Sequence, residues 1–282
     1  KRAHLTIEII PGPYALIGKL KVEGLNEVSS RSVETEVDYA IGKPYSPSLL
    51  NQLEQNVYGM DVFSTVEADT ADKVSNNGTV DITLRVTETK MQSIKAGASI
   101  VFEPTRWEEG LFAIYAHRNL FGALIRLDTK LRVGYAQLPT PFNLVEHGPV
   151  VKFEPRFTKK GWLEKRLVWT LAPSIELGVE EGYQFYTPGT HLGVSRFFAR
   201  ILSIELSHRF NFFDFFSVSD TVKTNRTLLG LDYRDPYLLS YLSLDTFLYL
   251  TDRQMEPRNG VVLGLTYSIA GGPFGGQYDF HK

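Results

Sequence analysis

The 282-residue chain contains no cysteine. Disulfides, thiolate zinc sites and cysteine nucleophiles are therefore excluded. It also has no excess of either charge: 30 Lys and Arg face 32 Asp and Glu, a net charge of -2 at pH 7. A protein that coats nucleic acid needs a basic excess, so nucleic acid is not an expected partner. No run of about 18 apolar residues occurs, so no transmembrane helix is expected. The start, Lys1-Arg2-Ala3-His4, lacks the apolar core of a signal peptide, so a secreted form is expected to have its signal upstream or already removed.

Catalytic and metal signatures are missing as well. His4, His117, His147, His191, His208 and His281 show no His-x-x-x-His or similar ligand spacing. There is no Gly-x-Ser-x-Gly elbow and no P-loop; the Gly-rich stretch 271–276 lacks a following Lys-Ser/Thr and reads as a loop. Asp232, Arg234 and Asp235 read better as loop or lumen salt bridges than as a catalytic cluster. The expectation is a protein that is not an enzyme and carries no cofactor and no metal.

What is present is globular in composition, with 43% hydrophobic and 22% charged residues. Residues 14–90 read as strand, helix, helix, strand, strand. Ile17-Gly18-Lys19-Leu20-Lys21-Val22-Glu23-Gly24 alternates before a glycine stop. Ser29 and Ser30 are candidate N-caps for a helix with an apolar stripe of Val33, Val37 and Ala40. Gly42 and Pro44 end it. Ser46-Pro47 opens a second helix that buries Leu49, Leu50, Leu53 and Val57. Two strands follow: Phe63-Ser64-Thr65-Val66-Glu67-Ala68, then Val80, Ile82, Leu84 and Val86 alternating with polar residues.

Residues 91–282 show only strand signals. In residues 124–135, Ile125, Leu127, Thr129, Leu131, Val133 and Tyr135 share one face and Arg126, Asp128, Lys130 and Arg132 the other. Similar alternation surrounds Phe153, Trp169, Leu206 and Leu263. These segments reach the roughly 10 residues needed to cross a bilayer at a tilt, and about nine of them are discernible. Alternation alone does not say which face is wet, because a soluble sandwich has the same period. Three features favour a membrane barrel. The polar faces carry both charge signs. The connections alternate between tight (Asn119-Leu120-Phe121-Gly122, Lys159-Lys160-Gly161-Trp162) and long (residues 138–147 and 211–238). Aromatics such as Trp107, Trp162, Phe197, Phe198, Phe212 and Phe213 gather near strand ends.

The wording of Ile17 to Gly24, Lys43-Pro44-Tyr45 and Gly59-Met60-Asp61-Val62-Phe63 resembles a POTRA (polypeptide-transport-associated) domain. Residues 1–13, ending Pro11-Gly12-Pro13, resemble the end of a preceding POTRA repeat. Arg118-Asn119-Leu120-Phe121-Gly122 resembles a turn of outer-membrane assembly factors of the BamA and TamA type. So does Asp252-Arg253 followed by Pro257-Arg258-Asn259-Gly260. The resemblance implies a transmembrane antiparallel β-barrel of about sixteen strands, preceded by an α+β POTRA domain of β-α-α-β-β order, with this chain truncated at both ends. The family's Val-Arg-Gly-aromatic loop motif is absent and is expected beyond Lys282.

By resemblance, the client-binding edge is Ser64, Thr65, Val66, Glu67, Ala68 and Asp69, because sheet edges bind strands through main-chain hydrogen bonds without demanding a sequence. The resemblance makes Ile94, Ala96, Gly97, Ala98, Ser99 and Ile100 the first strand of a lateral gate. Their small residues suit either a labile seam or a crowded wall. The implied function is insertion of β-barrel proteins into the outer membrane. The implied partners are unfolded outer-membrane clients, outer-membrane lipids and periplasmic or lipoprotein accessory subunits. A POTRA-barrel transporter of the two-partner secretion type, passing a client through the lumen, is the alternative. A passive porin would not need the docking domain, and a barrel enzyme should show a convergent Ser/His/Asp set.

Overall fold

The computed structural model describes residues 14–71, 75, 77–161, 163–198, 201–224, 234–252 and 258–282. The lead-in 5–13, Trp162, Asp232, Arg253 and Pro257 lie outside the described residues. The chain divides into two compact units, Lys1–Met91 and Gln92–Lys282.

In the first unit, β1 (Leu16–Glu23), α1 (Ser30–Val37), α2 (Pro47–Tyr58), β2 (Phe63–Thr70) and β3 (Thr79–Glu88) follow in chain order, with a 3-10 turn Asp38–Ala40 after α1. The three strands form a sheet of order β1-β3-β2, with β1 parallel and β2 antiparallel to β3. Helix α2 starts as its sequence dictates. The Ser46 hydroxyl accepts the Leu49 amide at 3.2 Å, and Pro47 fills the first turn, where its missing N–H costs nothing. The stripe Val33, Val37, Leu53 and Val57 is fully buried against the apolar face of β3 and its neighbours, which supplies Val80, Ile82, Leu84 and Val86. Leu49 and Leu50 are only half-buried. Ala40 keeps its buried place, but in the 3-10 turn rather than in α1. Gly24 turns the chain out of β1 at φ 93°, and a Cβ there would lie 2.0 Å from the Val86 carbonyl oxygen. No other residue fits.

The loop after Gly24 is fixed by Glu88 at the end of β3. Its carboxylate accepts the amides of Asn26, Glu27 and Val28 at 2.8–3.0 Å. Partial burial pushes this carboxyl up, but the three main-chain donors outweigh it and hold it below the usual carboxylate range.

The second unit is one antiparallel meander: β4 (Gln92–Glu103), β5 (Arg106–Leu120), β6 (Ile125–Thr140), β7 (Asn143–Lys160), β8 (Leu167–Glu180), β9 (Tyr183–Phe198), β10 (Leu202–Phe216), β11 (Tyr237–Thr251), β12 (Gly260–Ala270) and the two-residue β13 (Phe280–His281). Each strand pairs with its sequence neighbours, so β4 and β13 stand at the two ends of the sheet. Nine strands are long, 11 to 18 residues each. Between β10 and β11 lies one short helix, α3 (Asp220–Thr224).

The register separates the two faces cleanly. Ala113, Leu131, Phe153, Ile175 and Pro188 sit opposite one another in one row. One residue along, Phe112, Arg132, Lys152, Glu176 and Thr187 form a row on the other face. The expected division of residues 124–135 into two faces is therefore the arrangement found. Among the described residues of this unit no helix covers the apolar side, and Leu131, Val133 and Leu265 remain 38%, 46% and 67% exposed.

Two expected loops are corrected. Residues 138–147 are not a long loop. β6 runs to Thr140 and β7 starts at Asn143, because Leu138 and Val150 are buried in a small cluster with Ala136 and Val179 that holds the strand ends together. Likewise β10 continues to Phe216, so Phe212 and Phe213 lie within a strand and the long connection begins only afterwards. Phe213 stacks on Tyr237 of β11 at 4.6 Å, a cross-strand aromatic contact that favours extending the ladder. Trp107 and Phe197 do lie at strand ends.

Candidate functional site

The candidate site consists of strand edges rather than a pocket. In the first unit β2 pairs with β3 on one side and, among the described residues, with no strand on the other. Ser64, Thr65, Val66, Glu67, Ala68 and Asp69 all belong to it. The side chains of Thr65, Glu67 and Asp69 are exposed, while Val66 and Ala68 are half-buried. Arg85 of β3 ion-pairs with Asp69 and so anchors the edge strand from behind. The opposite edge of the sheet is partly covered. Near the start of β1, the Ile17 amide bonds the Lys43 carbonyl at 2.9 Å, and the Gly42 amide bonds the Ile17 carbonyl at 2.8 Å. The longer open edge is therefore that of β2.

In the second unit β4 carries Ile94, Ala96, Gly97, Ala98, Ser99 and Ile100, and among the described residues it pairs with β5 alone. Ile94 and Ile100 are 74% and 65% exposed. One small residue has a packing reason. A Cβ on Gly97 would lie 2.8 Å from the Phe112 ring, so that ring is seated over the glycine. Gly178 under Phe185 and Gly264 under Phe247 repeat the arrangement. Aromatic rings covering strand glycines stabilise otherwise weak strands. At Gly97 the crowded-wall reading therefore has direct support, and Ala96 and Ala98 sit opposite Ala113 and Leu111.

The polar face brings Arg126, Asp128, Lys130 and Arg132 together with charges from neighbouring strands. Asp128 lies opposite Arg156, and Lys130 opposite Glu154. Arg126 binds Asp128 at 2.7 Å, and Lys152 binds Glu176 at 3.1 Å. Arg132 ion-pairs at 2.5 Å with Glu108, which Arg106 binds at 2.9 Å from the other side. Glu108 is 3% exposed. Sequence reasoning missed this buried carboxylate between two guanidiniums. Its signal was the phase of Glu108 and Arg106 in β5, which matches the polar phase of Arg132 in β6 only once the register is known.

The turn motifs have a shared logic. Asn119 Oδ1 accepts the Leu124 amide at 2.9 Å across the turn, while Phe121 and Gly122 adopt φ 58° and 68°. In the second motif Asp252 Oδ1 accepts the amides of Arg258 and Asn259 at 3.1 and 3.2 Å, just before Gly260 opens β12. In each, the first polar residue fastens the far side of the turn. Leu120 closes β5, and Arg253 and Pro257 lie outside the described residues.

A three-stranded sheet with two helices ahead of a meander of long antiparallel strands defines a POTRA domain followed by β-barrel strands. Residues 15–89 match the POTRA family, described as surface antigen variable number repeat. No curated protein sequence matches the chain significantly. Among solved structures the fold is similar to that of BamA from Haemophilus ducreyi lacking POTRA domains 1–3. That likeness has a TM-score of 0.60 at 14% identity and covers 92% of this chain and 49% of that one. It is also similar to CdiB from Acinetobacter baumannii, with a TM-score of 0.58 at 13% identity, covering 91% of this chain and 46% of that one. The chain thus spans about half the length of these relatives, and the likeness is one of fold.

Proposed function

We propose that this chain is part of a protein that assembles and inserts β-barrel clients into the outer membrane, with the POTRA domain in the periplasm. The observation that carries the reading is that β2 of the first unit pairs with no second strand among the described residues, ahead of long strands whose apolar face is left exposed. A client strand entering lipid with unpaired N–H and C=O groups would lose several kcal/mol per group. Pairing first with β2 and then with β4 supplies those bonds throughout, without a cofactor and without covalent chemistry. The uncovered apolar face then contacts lipid and the charged face lines an aqueous lumen. The partners are unfolded outer-membrane proteins, lipids, and periplasmic or lipoprotein accessory subunits.

A second reading, a secretion transporter of the two-partner type, is favoured by the charged face around Arg132 and by the likeness to CdiB, close in degree to that with BamA. Photocrosslinking in the native membrane from Thr65, Ser99 and Arg132 separates the two. Capture of many unfolded outer-membrane proteins from Thr65 and Ser99 supports insertion. Capture of one secreted passenger, chiefly from Arg132, replaces it with transport.

A further inference from the structure

In an antiparallel pair, successive residues send their main-chain groups to opposite edges. The amide of Ala68 in β2 is not given to β3: it donates to Glu54 Oε1 of α2 at 2.8 Å. Ala68 therefore points to the open side of β2, and Val66 and Thr70, two residues away on either side, share that direction. Helix α2 turns Leu53 and Val57 fully into the core, which leaves Glu54 at the rim, half-buried and next to the strand edge. Glu54 thus stands where the carbonyl of an added strand would stand. Charged acceptors bind amides more strongly than neutral carbonyls do, so its position carries a cost for any newcomer.

We propose that Glu54 is a latch on the β2 edge, occupying the hydrogen-bond position of a client carbonyl until an extended client strand displaces it. This rests on the strand-pairing function above and adds what that function lacks, a reason for the edge to bind weakly and let go. It also names the client that fits best. Displacement leaves a carboxylate at the rim beside the added strand, so a strand with a Lys or Arg at that point recovers the lost interaction, and one with Asp or Glu there does not. The latch also explains how a strand edge stays soluble before a client arrives, since covered or charged edges resist pairing with other copies.

The absence of cysteine permits a direct test. In the full-length protein in detergent micelles, with any cysteine outside these 282 residues replaced by serine, Thr65→Cys provides a single thiol on the exposed side of β2. The probe is a ten-residue peptide of alternating apolar and polar residues with one Cys and one Lys. Its control is the same peptide N-methylated at alternate positions, and disulfide trapping is followed against peptide concentration. Glu54→Ala is expected to raise the apparent affinity about three- to tenfold, Glu54→Gln by less, because the amide oxygen still accepts. Hydrogen exchange at Ala68 should quicken in Glu54→Ala, which reports loss of the contact independently of any peptide. Equal trapping in wild type and Glu54→Ala would overturn the latch and leave edge pairing standing. Trapping no better than the N-methylated control in either protein would overturn edge pairing and the latch together.

Discussion

β3 and β6 have the same two-residue alternation and opposite surroundings. In β3 the apolar residues Ile82 and Leu84 are 1% and 0% exposed, under α1 and α2. In β6 Leu131 and Val133 are 38% and 46% exposed, and the same holds along Phe153, Ile175 and Leu206 in the strands beyond. A two-residue period says which residues share a face; it does not say what covers that face. In the first unit the cover is supplied by the chain itself. In the second, apolar side chains on adjacent strands, Leu131, Phe153 and Ile175 among them, sit side by side in the ladder and stay exposed together. Lipid is the cover that the proposed function supplies.

That contrast can be broken in several ways. The largest effect is expected from Leu84→Ala, which opens a cavity in a closed core and should cost about 2–5 kcal/mol. Hydrogen exchange of the β1–β3 amides would measure it, and a loss under about 1 kcal/mol would mean that this core is not tightly packed. Next comes Leu131→Arg, expected to cost about 2–4 kcal/mol of folding into a bilayer if the residue lies near the midplane. Its neighbour Lys130→Leu, on the polar face, should stay within about 0.5 kcal/mol. The reverse order in a bilayer folding assay would exchange the two faces.

Glu88 sharpens the comparison through pH. Its folded carboxyl titrates below the usual range, so its stabilisation of the β1–α1 loop is fully present above the unfolded value of about 4.3 and is lost as pH falls through and below it. Glu88→Gln should therefore quicken exchange of the Asn26 to Val28 amides at pH 7 and flatten their acid dependence, at a cost of about 1–2 kcal/mol. An unchanged acid profile would remove Glu88 as the cause. The smallest effect is expected at the helix cap, where Ser46→Ala should cost about 1 kcal/mol in thermal unfolding and leave the second unit untouched.

The POTRA fold was legible because its signals are local: alternation in β1 and β3, the Ser46-Pro47 start of α2, and the glycine after β1. The division of β6 was legible for the same reason. β9 was not, since Pro188, Gly189 and Gly193 interrupt its alternation, and glycine and proline ordinarily argue against a central strand. The ladder tolerates prolines where it lapses. The β7–β8 pairing is broken between Phe153/Ile175 and Phe157/Leu171, the interval that contains Pro155 and Pro173. The loop expected at residues 138–147 failed because Pro139, Pro141 and Asn143 suggest turns, whereas burial of Leu138 and Val150 decides the matter through contacts distant in sequence. At the candidate site, the edge residues of β2 could be placed from the family wording, but the Glu54 contact could not, because it joins a helix to a strand 14 residues further on.

The charged rows on the polar face have one further consequence. Alternation forbids a slip of one residue between β6 and β7, because every side chain would change face, but it permits a slip of two. The charges weigh against the second, strongly in one direction and slightly in the other. Sliding β7 by two residues in one direction sets Asp128 against Glu154, Lys130 against Lys152 and Arg126 against Arg156; in the other it sets Lys130 against Arg156, gains Arg132 against Glu154 and relieves the native Arg132/Lys152 opposition, but gives up Asp128/Arg156 and Lys130/Glu154. Each like-charged pair directly opposed costs about 0.2–1 kcal/mol, and the native opposed pairs are forfeited too. The order of charges along these two strands therefore acts as a key that fits best at one depth, so that a meander built from nearly interchangeable strands is biased toward a single alignment.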